Sequence, residues 1–200
     1  MKVTVDPVIF KAALLGHAGA QSVLGDCYER GDGVEKDLER AAMWYSSSAE
    51  QGYLEAIYKL ARCYENGIGV AKDQEKAFSL CEKAATEGHE LAQITLGNYF
   101  SKGIGTPQSL SKGIKWYRKA AMNGSDLAQA ILGDRYAIGE GVPKDEIEAY
   151  ALYNIASVSF ESALERREEL EKSLPASARI RGQSRSRKLL KEIEAKKAGK

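Results

Sequence analysis

The residues best suited to nucleophilic or metal chemistry in this chain are three cysteines and two histidines. Three is an odd number of cysteines, and the chain begins without a clear secretory signal, so a disulfide framework is not expected. Cys27 and Cys63 stand 36 positions apart in equivalent places. Packed helices would hold their Cα atoms beyond the roughly 7 Å that a disulfide can span. We interpret Cys27, Cys63 and Cys81 as packing residues or inert thiols.

The two histidines share one position relative to the glycines that precede them. His17 follows Gly16 and His89 follows Gly88, where a helix would begin. A metal site needs several ligands that converge on one point, and these two lie 72 residues apart. We interpret both as helix-start residues.

The paired glycines could suggest a phosphate-binding loop. Gly31-Asp32-Gly33 follows no predicted strand, however, and no Lys-Ser or Lys-Thr pair comes after it, so the P-loop signature fails. The sequence shows no Ser/His/Asp or Cys/His arrangement of the kind used in nucleophilic catalysis. Paired carboxylates occur only as helix-surface charges. The sequence therefore predicts a protein that is not an enzyme and that holds no cofactor or metal.

Overall charge and hydropathy set limits on the partners. The 200 residues carry a net charge of +1, which demands neither a nucleic acid nor a membrane. No run approaches the roughly 18 apolar residues of a spanning helix. Met1 to Leu15 has only a short apolar patch, interrupted by Lys11, and makes a poor secretory signal. We expect a cytoplasmic monomer.

The C-terminal segment is the strongest departure from average composition. It is rich in arginine and lysine from Arg179 to Lys200, with Glu192 and Glu194 as its only acidic residues. Such a segment can bind nucleic acid or an acidic partner. Since no aromatic residue follows Phe160, it lacks a platform for stacking bases. The alternative is a capping helix with a solvated basic face.

These residues are positioned by an internal repeat of 36 residues. Five positions recur throughout, each with one residue type or a close substitute: Ala20, Ala56, Ala92 and Ala128; Leu24, Leu60, Leu96 and Leu132; Tyr28, Tyr64, Phe100 and Tyr136; and the two glycines of the pairs Gly31/Gly33, Gly67/Gly69, Gly103/Gly105 and Gly139/Gly141. A fixed period of this length is typical of stacked helical repeats, so the sequence predicts an all-α solenoid.

One repeat reads as a helical hairpin. Ala56, Leu60 and Tyr64 are spaced four apart and form one stripe on a first helix. Gly67 fits the left-handed position that ends that helix, and Gly69 allows a second turn. Asp73 then caps a second helix. No single hairpin buries enough apolar surface to be stable alone, whereas four stacked hairpins share a continuous core.

Several segments resemble the Sel-one-like repeat, a relative of the tetratricopeptide repeat: Leu96-Gly97, Trp116 to Ala121, and Gly124 to Ala128. The resemblance covers roughly residues 16–164. It implies a right-handed α/α superhelix of about four helical hairpins with a capping helix at each end. Ala61 stands where the family usually has glycine, and Phe160 replaces the closing glycine, which suggests that the regular array stops there.

The resemblance also implies a function. It predicts a non-catalytic adaptor that binds another protein or a peptide segment, such as a bacterial regulatory, secretion-associated or toxin-immunity protein. Some cysteine-rich relatives are linked to β-lactam binding or hydrolysis. An enzyme of that kind is the alternative, but no serine-lysine or zinc-ligand pattern supports it here.

The segments are expected to follow the repeat. Residues 1–16 form an N-terminal capping helix, and repeats 1 to 4 span about 17–52, 53–88, 89–124 and 125–160, within an array that reaches residue 164. The last helix is predicted to run from Asp145 through Leu164 to about Lys172. Within the C-terminal segment 165–200, Pro175 opens a final helix, about 176–195, that covers the exposed end of the stack.

The candidate binding site is a concave groove lined by the first helix of each repeat. Positions offset from the buried stripe should face it. The resulting groove residues are Glu55, Tyr58, Arg62, Glu65, Leu91, Ile94, Asn98, Leu127, Ala130 and Asp134. Leu91, Ile94 and Leu127 predict an apolar floor toward the C-terminal half. The alternative is that these residues pack between repeats or under the C-terminal helix.

Overall fold

The computed structural model describes residues 5–199, which contain eleven α-helices and no strand. The helices are α1 (Pro7–Leu14), α2 (Ala18–Arg30), α3 (Leu38–Glu50), α4 (Leu54–Asn66), α5 (Gln74–Thr86), α6 (Glu90–Lys102), α7 (Leu110–Met122), α8 (Asp126–Ile138), α9 (Glu146–Ala156), α10 (Glu161–Ser173) and α11 (Ala176–Ala198). The predicted all-α solenoid of helical hairpins is confirmed. Residues 1–4 of the predicted N-terminal cap and Lys200 of the basic tail lie outside the described residues.

The turn of each hairpin is built by the residues that the repeat predicts. Gly67 ends α4 with φ of 73°, and Gly69 follows with φ of 66°, both in the left-handed region. Asp73 Oδ1 then accepts the backbone N–H of Lys76 at 2.9 Å and caps α5. The equivalent cap recurs before the other second helices, at Asp37, Ser109 and Asp145.

The chain divides into two compact units. Unit 1 comprises residues 1–99 and 103–107, and unit 2 comprises residues 100–102 and 108–200. In unit 1, α2 pairs with α3 and α4 with α5, and α3 also packs against α4, the first helix of the next repeat. The N-terminal helix α1 packs against α2 in the same way.

A close approach between the two helices of a hairpin explains one departure from the family pattern. A Cβ atom at Gly25 would lie only 2.5 Å from Cε1 of Tyr45, so the tyrosine ring rests directly on the backbone of α2. Repeat 2 has Ala61 and Cys81 at these positions. Since cysteine is much smaller than tyrosine, alanine can stand opposite it. The close approach recurs in repeat 4, between Gly133 and Tyr153.

The predicted long helix from Asp145 to about Lys172 is wrong, because the structure has two helices there. α9 ends at Ala156, and Ser157 Oγ donates a hydrogen bond back to the Asn154 carbonyl at 3.1 Å. Phe160 then adopts an extended conformation, with φ of −129° and ψ of 99°, before α10 begins. The backbone therefore turns between 157 and 160 without a glycine or a proline.

The predicted final helix is present as α11, but it does not cover the end of the stack in the expected way. It is α10 that packs against α9 as α4 packs against α3, whereas α11 lies along α9 and reaches α7. Arg185 of α11 forms a two-pronged ion pair with Glu148 of α9, at 2.7 and 3.0 Å. Gly182 brings α11 close to Tyr150, where a Cβ atom would lie 2.5 Å from the ring.

Candidate functional site

The three cysteines lie in surroundings that keep their thiols protonated. Cys63 and Cys81 are buried, and this burial raises the pKa of Cys63 to about 11 and that of Cys81 to about 12. Cys81 Sγ also donates a hydrogen bond to the Ala92 carbonyl at 3.3 Å. Cys27 is half-buried, and burial, followed by the charges of Asp32 and Asp26, raises its pKa. Since the reactive species is the thiolate, none of the three is prepared for nucleophilic catalysis.

We expect a thiol reagent to label the folded chain at Cys27 alone, slowly, and to label Cys63 and Cys81 only after unfolding. The physical reason is access, because Cys63 and Cys81 are 2 % and 0 % exposed. Mass spectrometry of the labelled peptides, before and after denaturation, measures the order. Labelling of Cys81 in the native protein would contradict this account, and Cys27→Ser provides the control.

The histidines begin helices, as the sequence predicts. His89 caps α6, since its Nδ1 accepts the backbone N–H of Ala92 at 3.1 Å. An accepting Nδ1 leaves the proton on Nε2, which donates to Glu55 Oε2 at 2.9 Å. His17 stands at the same place before α2 without a side-chain cap. The described residues contain no group of three or more histidine, cysteine, aspartate or glutamate side chains that could hold a metal.

In unit 1 the predicted groove residues differ in exposure. Arg62 is exposed and Leu91 is 46 % exposed, so both are available to a partner. Tyr58, Glu65 and Asn98 are half-buried. These residues all lie on the first helices α4 and α6.

Ile94 is only 5 % exposed, so the prediction that it forms an open apolar anchor is wrong. The adjacent first helices are in direct contact here. The Tyr58 ring centroid lies 4.8 Å from that of His89, and its hydroxyl lies 3.3 Å from Thr95 Oγ1. Ile94 is therefore a packing residue between repeats, which was the alternative interpretation.

Most acidic groups on the first-helix face of unit 1 are held by internal partners. Tyr45 Oη lies 2.7 Å from Asp26 Oδ1 and 2.6 Å from Glu29 Oε2. Lys59 Nζ contacts Asp26 at 2.7 Å and Glu55 at 3.5 Å. Burial alone would raise the pKa of Glu55, but the hydrogen bond from His89 and the charge of Lys59 outweigh it and lower that pKa. This network ties α2, α4 and the start of α6 together.

In unit 2 the helix α10 covers part of the predicted groove. Ala130 is fully buried in a cluster that includes Ala163 of α10, so it does not leave the room that the sequence suggested. Asp134 is half-buried and accepts hydrogen bonds from Tyr153 Oη at 2.8 Å and Arg166 Nη1 at 2.7 Å. Only Leu127, at 39 % exposure, remains an open apolar candidate among the three.

The basic C-terminal segment forms the helix α11, whose outer face is charged. Arg185 is bound by Glu148, whereas six other cations of α11 are exposed: Arg181, Arg187, Lys188, Lys191, Lys196 and Lys197. None of the helices described between residues 5 and 199 is long and apolar enough to cross a membrane.

Sequence reasoning missed a set of stacked cations on the hairpins. In repeats 1 to 3 a basic side chain from the first turn of the second helix lies over the aromatic ring that ends the first helix, in the pairs Arg40–Tyr28, Lys76–Tyr64 and Lys112–Phe100. Repeat 4 has Glu148 at this position, and this carboxylate binds Arg185 instead. Aligning the four repeats position by position would have found the exception.

A hollow beside one of these pairs was also missed. It has a volume of about 350 Å³ and is lined by Tyr28, Arg40, Met43, Trp44 and Ser47, all on α2 and α3. The sequence feature that could have indicated this hollow is Ser47, because repeats 2 and 3 have a lysine at the equivalent position, Lys83 and Lys119.

The repeated hairpins of two α-helices define a helical-repeat protein. A family model described as "Sel1 repeat" matches residues 18–53, 54–89, 91–125 and 126–157. The chain belongs to the Sel1 repeat family. This fold is generally a protein–protein interaction scaffold, and the family is typically non-catalytic.

Solved structures agree with this assignment. A Sel1 repeat protein from Oxalobacter formigenes is 39% identical, with a TM-score of 0.72 over 81% of this chain and 48% of that chain. The c5321 protective antigen of uropathogenic Escherichia coli is 29% identical, with a TM-score of 0.59 over 93% and 48%. This chain therefore spans about half the length of these two relatives.

A third structure supports the fold alone. The immunity protein Pa5087 from Pseudomonas aeruginosa is 20% identical, with a TM-score of 0.56 over 93% of this chain and 73% of that chain. A search of curated proteins found no match.

Proposed function

We propose that this chain is a non-catalytic scaffold that binds a protein or peptide segment along the first helices of unit 1. The observation that carries the proposal is the exposure of two side chains on neighbouring first helices, Leu91 of α6, at 46 %, and Arg62 of α4. An apolar anchor together with a charged group that can orient the partner is the usual composition of a recognition surface. Tyr58 and Glu65 are half-buried and lie on α4, the helix that carries Arg62.

The rigidity of the surface supports the same proposal. Lys59 joins Asp26 to Glu55, and Glu55 is joined in turn to His89, so the three first helices are fixed before a partner arrives. A surface that is already ordered loses little conformational entropy on binding. In unit 2, the exposed Leu127 is a separate candidate anchor.

The partner decides the biological role. The roles consistent with a scaffold of this family are bacterial regulation, secretion and immunity to a cognate toxin. The likeness to Pa5087 is one of fold, so the immunity role is proposed on equal terms with the other two.

We expect Leu91→Asp to weaken binding of the partner at least tenfold, because a carboxylate would replace the apolar anchor; that loss corresponds to about 1.4 kcal/mol. The partner is first captured from the native cell with the tagged chain and identified by mass spectrometry. Its affinity for the wild type and the variants is then measured by calorimetry with purified components.

Val158→Asp is the matched control, since Val158 is 86% exposed in the turn between α9 and α10. It introduces the same charge away from the proposed surface and should leave affinity unchanged. Equal binding by Leu91→Asp and the wild type, with both folded by circular dichroism, would exclude the first-helix surface of unit 1.

A further inference from the structure

The two tryptophans of the chain occupy equivalent positions in repeats 1 and 3, but their surroundings differ. In repeat 3, Lys119 Nζ lies 4.6 Å from the centre of the Trp116 ring, so a cation of the same helix covers the indole. In repeat 1 the residue three positions after Trp44 is Ser47. Serine is too short to reach the ring and carries no charge.

The consequence is the hollow of about 350 Å³ over Trp44. Of its other lining residues, Arg40 is already engaged, because it lies over Tyr28 at 5.7 Å and pairs with Asp37 at 3.1 Å. Met43 is 68 % exposed and forms an apolar wall. Within residues 5–199 no lysine or arginine side chain stacks over the Trp44 ring.

We propose that this hollow, formed by Tyr28, Arg40, Met43, Trp44 and Ser47, binds a lysine or arginine side chain of a basic protein segment. The bound cation takes the place over Trp44 that Lys119 takes over Trp116. An indole face attracts a cation through its quadrupole, and tryptophan is the strongest of the aromatic residues in this respect. The hollow lies at the hairpin formed by α2 and α3 and does not depend on the first-helix surface proposed above.

The charge of unit 1 favours a basic occupant. Its residues include 15 acidic and ten basic side chains, so the unit as a whole attracts cations. The helix α3 carries Glu39 and Glu50 with Arg40 as its single basic residue, whereas α7 of repeat 3 carries four. In repeat 3 the cation over the tryptophan ring is therefore a residue of the repeat itself, whereas in repeat 1 a cation over Trp44 would have to come from a partner.

The test uses tryptophan fluorescence, because the chain has only two tryptophans. Trp116→Phe leaves Trp44 as the single reporter. The probe is an acetylated and amidated peptide of alternating lysine and alanine, titrated at low ionic strength. A matched peptide has norleucine in place of lysine, which keeps the aliphatic stem and removes the charge. We expect a saturable change in Trp44 emission with the lysine peptide only.

Two reciprocal variants make the test specific. Ser47→Lys in the Trp116→Phe background should fill the hollow from within, as Lys119 does, and weaken binding of the lysine peptide at least fivefold. Trp44→Phe leaves Trp116 under Lys119 and should give no response. In the double variant Trp44→Phe/Lys119→Ser, the Trp116 indole should be uncovered, and its emission should then change on addition of the lysine peptide.

The proposal is overturned if the norleucine peptide produces the same change in emission. It is also overturned if the Ser47→Lys variant binds the lysine peptide with the same affinity as its Trp116→Phe parent. Absence of any change in Trp44 emission up to the solubility limit of the peptide also overturns it. Circular dichroism of each variant confirms that the helices are intact before titration.

Discussion

Replacing Gly69 with alanine is expected to lower the free energy of unfolding by about 3 kcal/mol, far more than the same change at Gly52. Both glycines have positive φ, 66° at Gly69 and 81° at Gly52, so both variants lose about 1 kcal/mol through the left-handed backbone. The difference is space. A Cβ atom at Gly69 would lie 1.9 Å from the carbonyl oxygen of Leu38, whereas nothing lies within 4 Å of one at Gly52.

The obstacle at Gly69 is the backbone of α3 in the preceding repeat, which cannot rotate away like a side chain. Gly105 repeats the situation, with a Cβ atom 2.1 Å from the Gln74 carbonyl oxygen. Denaturant unfolding followed by circular dichroism compares the three variants. Equal losses at Gly52, Gly69 and Gly105 would show that the backbone conformation, and not the contact between repeats, sets the cost.

Gly25→Ala is expected to cost about 2–3 kcal/mol, and this cost should largely vanish when Tyr45 is already cysteine. The added Cβ would lie 2.5 and 2.7 Å from two Tyr45 ring atoms. Repeat 2 shows the tolerated pair, because it has Ala61 opposite Cys81. With cysteine at position 45, the ring that would clash with the Cβ atom of alanine at position 25 is absent.

Tyr45→Cys is itself destabilising, since it removes hydrogen bonds to Asp26 and Glu29 at 2.7 and 2.6 Å. A double-mutant cycle separates the two effects: Gly25→Ala is measured in the wild type and in the Tyr45→Cys background. A coupling energy of about 2 kcal/mol is expected. If Gly25→Ala costs the same in both backgrounds, the tyrosine ring is not what requires glycine.

The hairpins could be predicted from sequence because their signals are local. Gly67 and Asp73 act on the turns in which they stand, so their types alone indicate a helix end and a helix start. The break after Ala156 has no such signal, since Ser157 to Phe160 contains neither glycine nor proline. Beyond this break α10 packs against α9, a contact that no local residue type indicates.

The candidate site was harder to predict, because exposure depends on neighbours that are distant in sequence. Leu91 and Arg62 are exposed as the repeat suggests, but Ile94 lies where adjacent first helices meet. Ala130 is covered by α10, a helix that the sequence had merged with α9. The hollow over Trp44 required a comparison of side chains between repeats rather than a pattern within one.

The ion pair between Glu148 and Arg185 limits how this chain could change its number of repeats. Duplicating repeat 2 would add a copy in which the lysine and the tyrosine of this stacked pair both come from the same repeat, as Lys76 and Tyr64 do. Duplicating repeat 4 would add a second glutamate at this position, while the chain has one Arg185 to bind it. We therefore expect that an internal repeat such as repeat 2 can be duplicated or deleted more readily than repeat 4, whose Glu148 depends on Arg185 of α11.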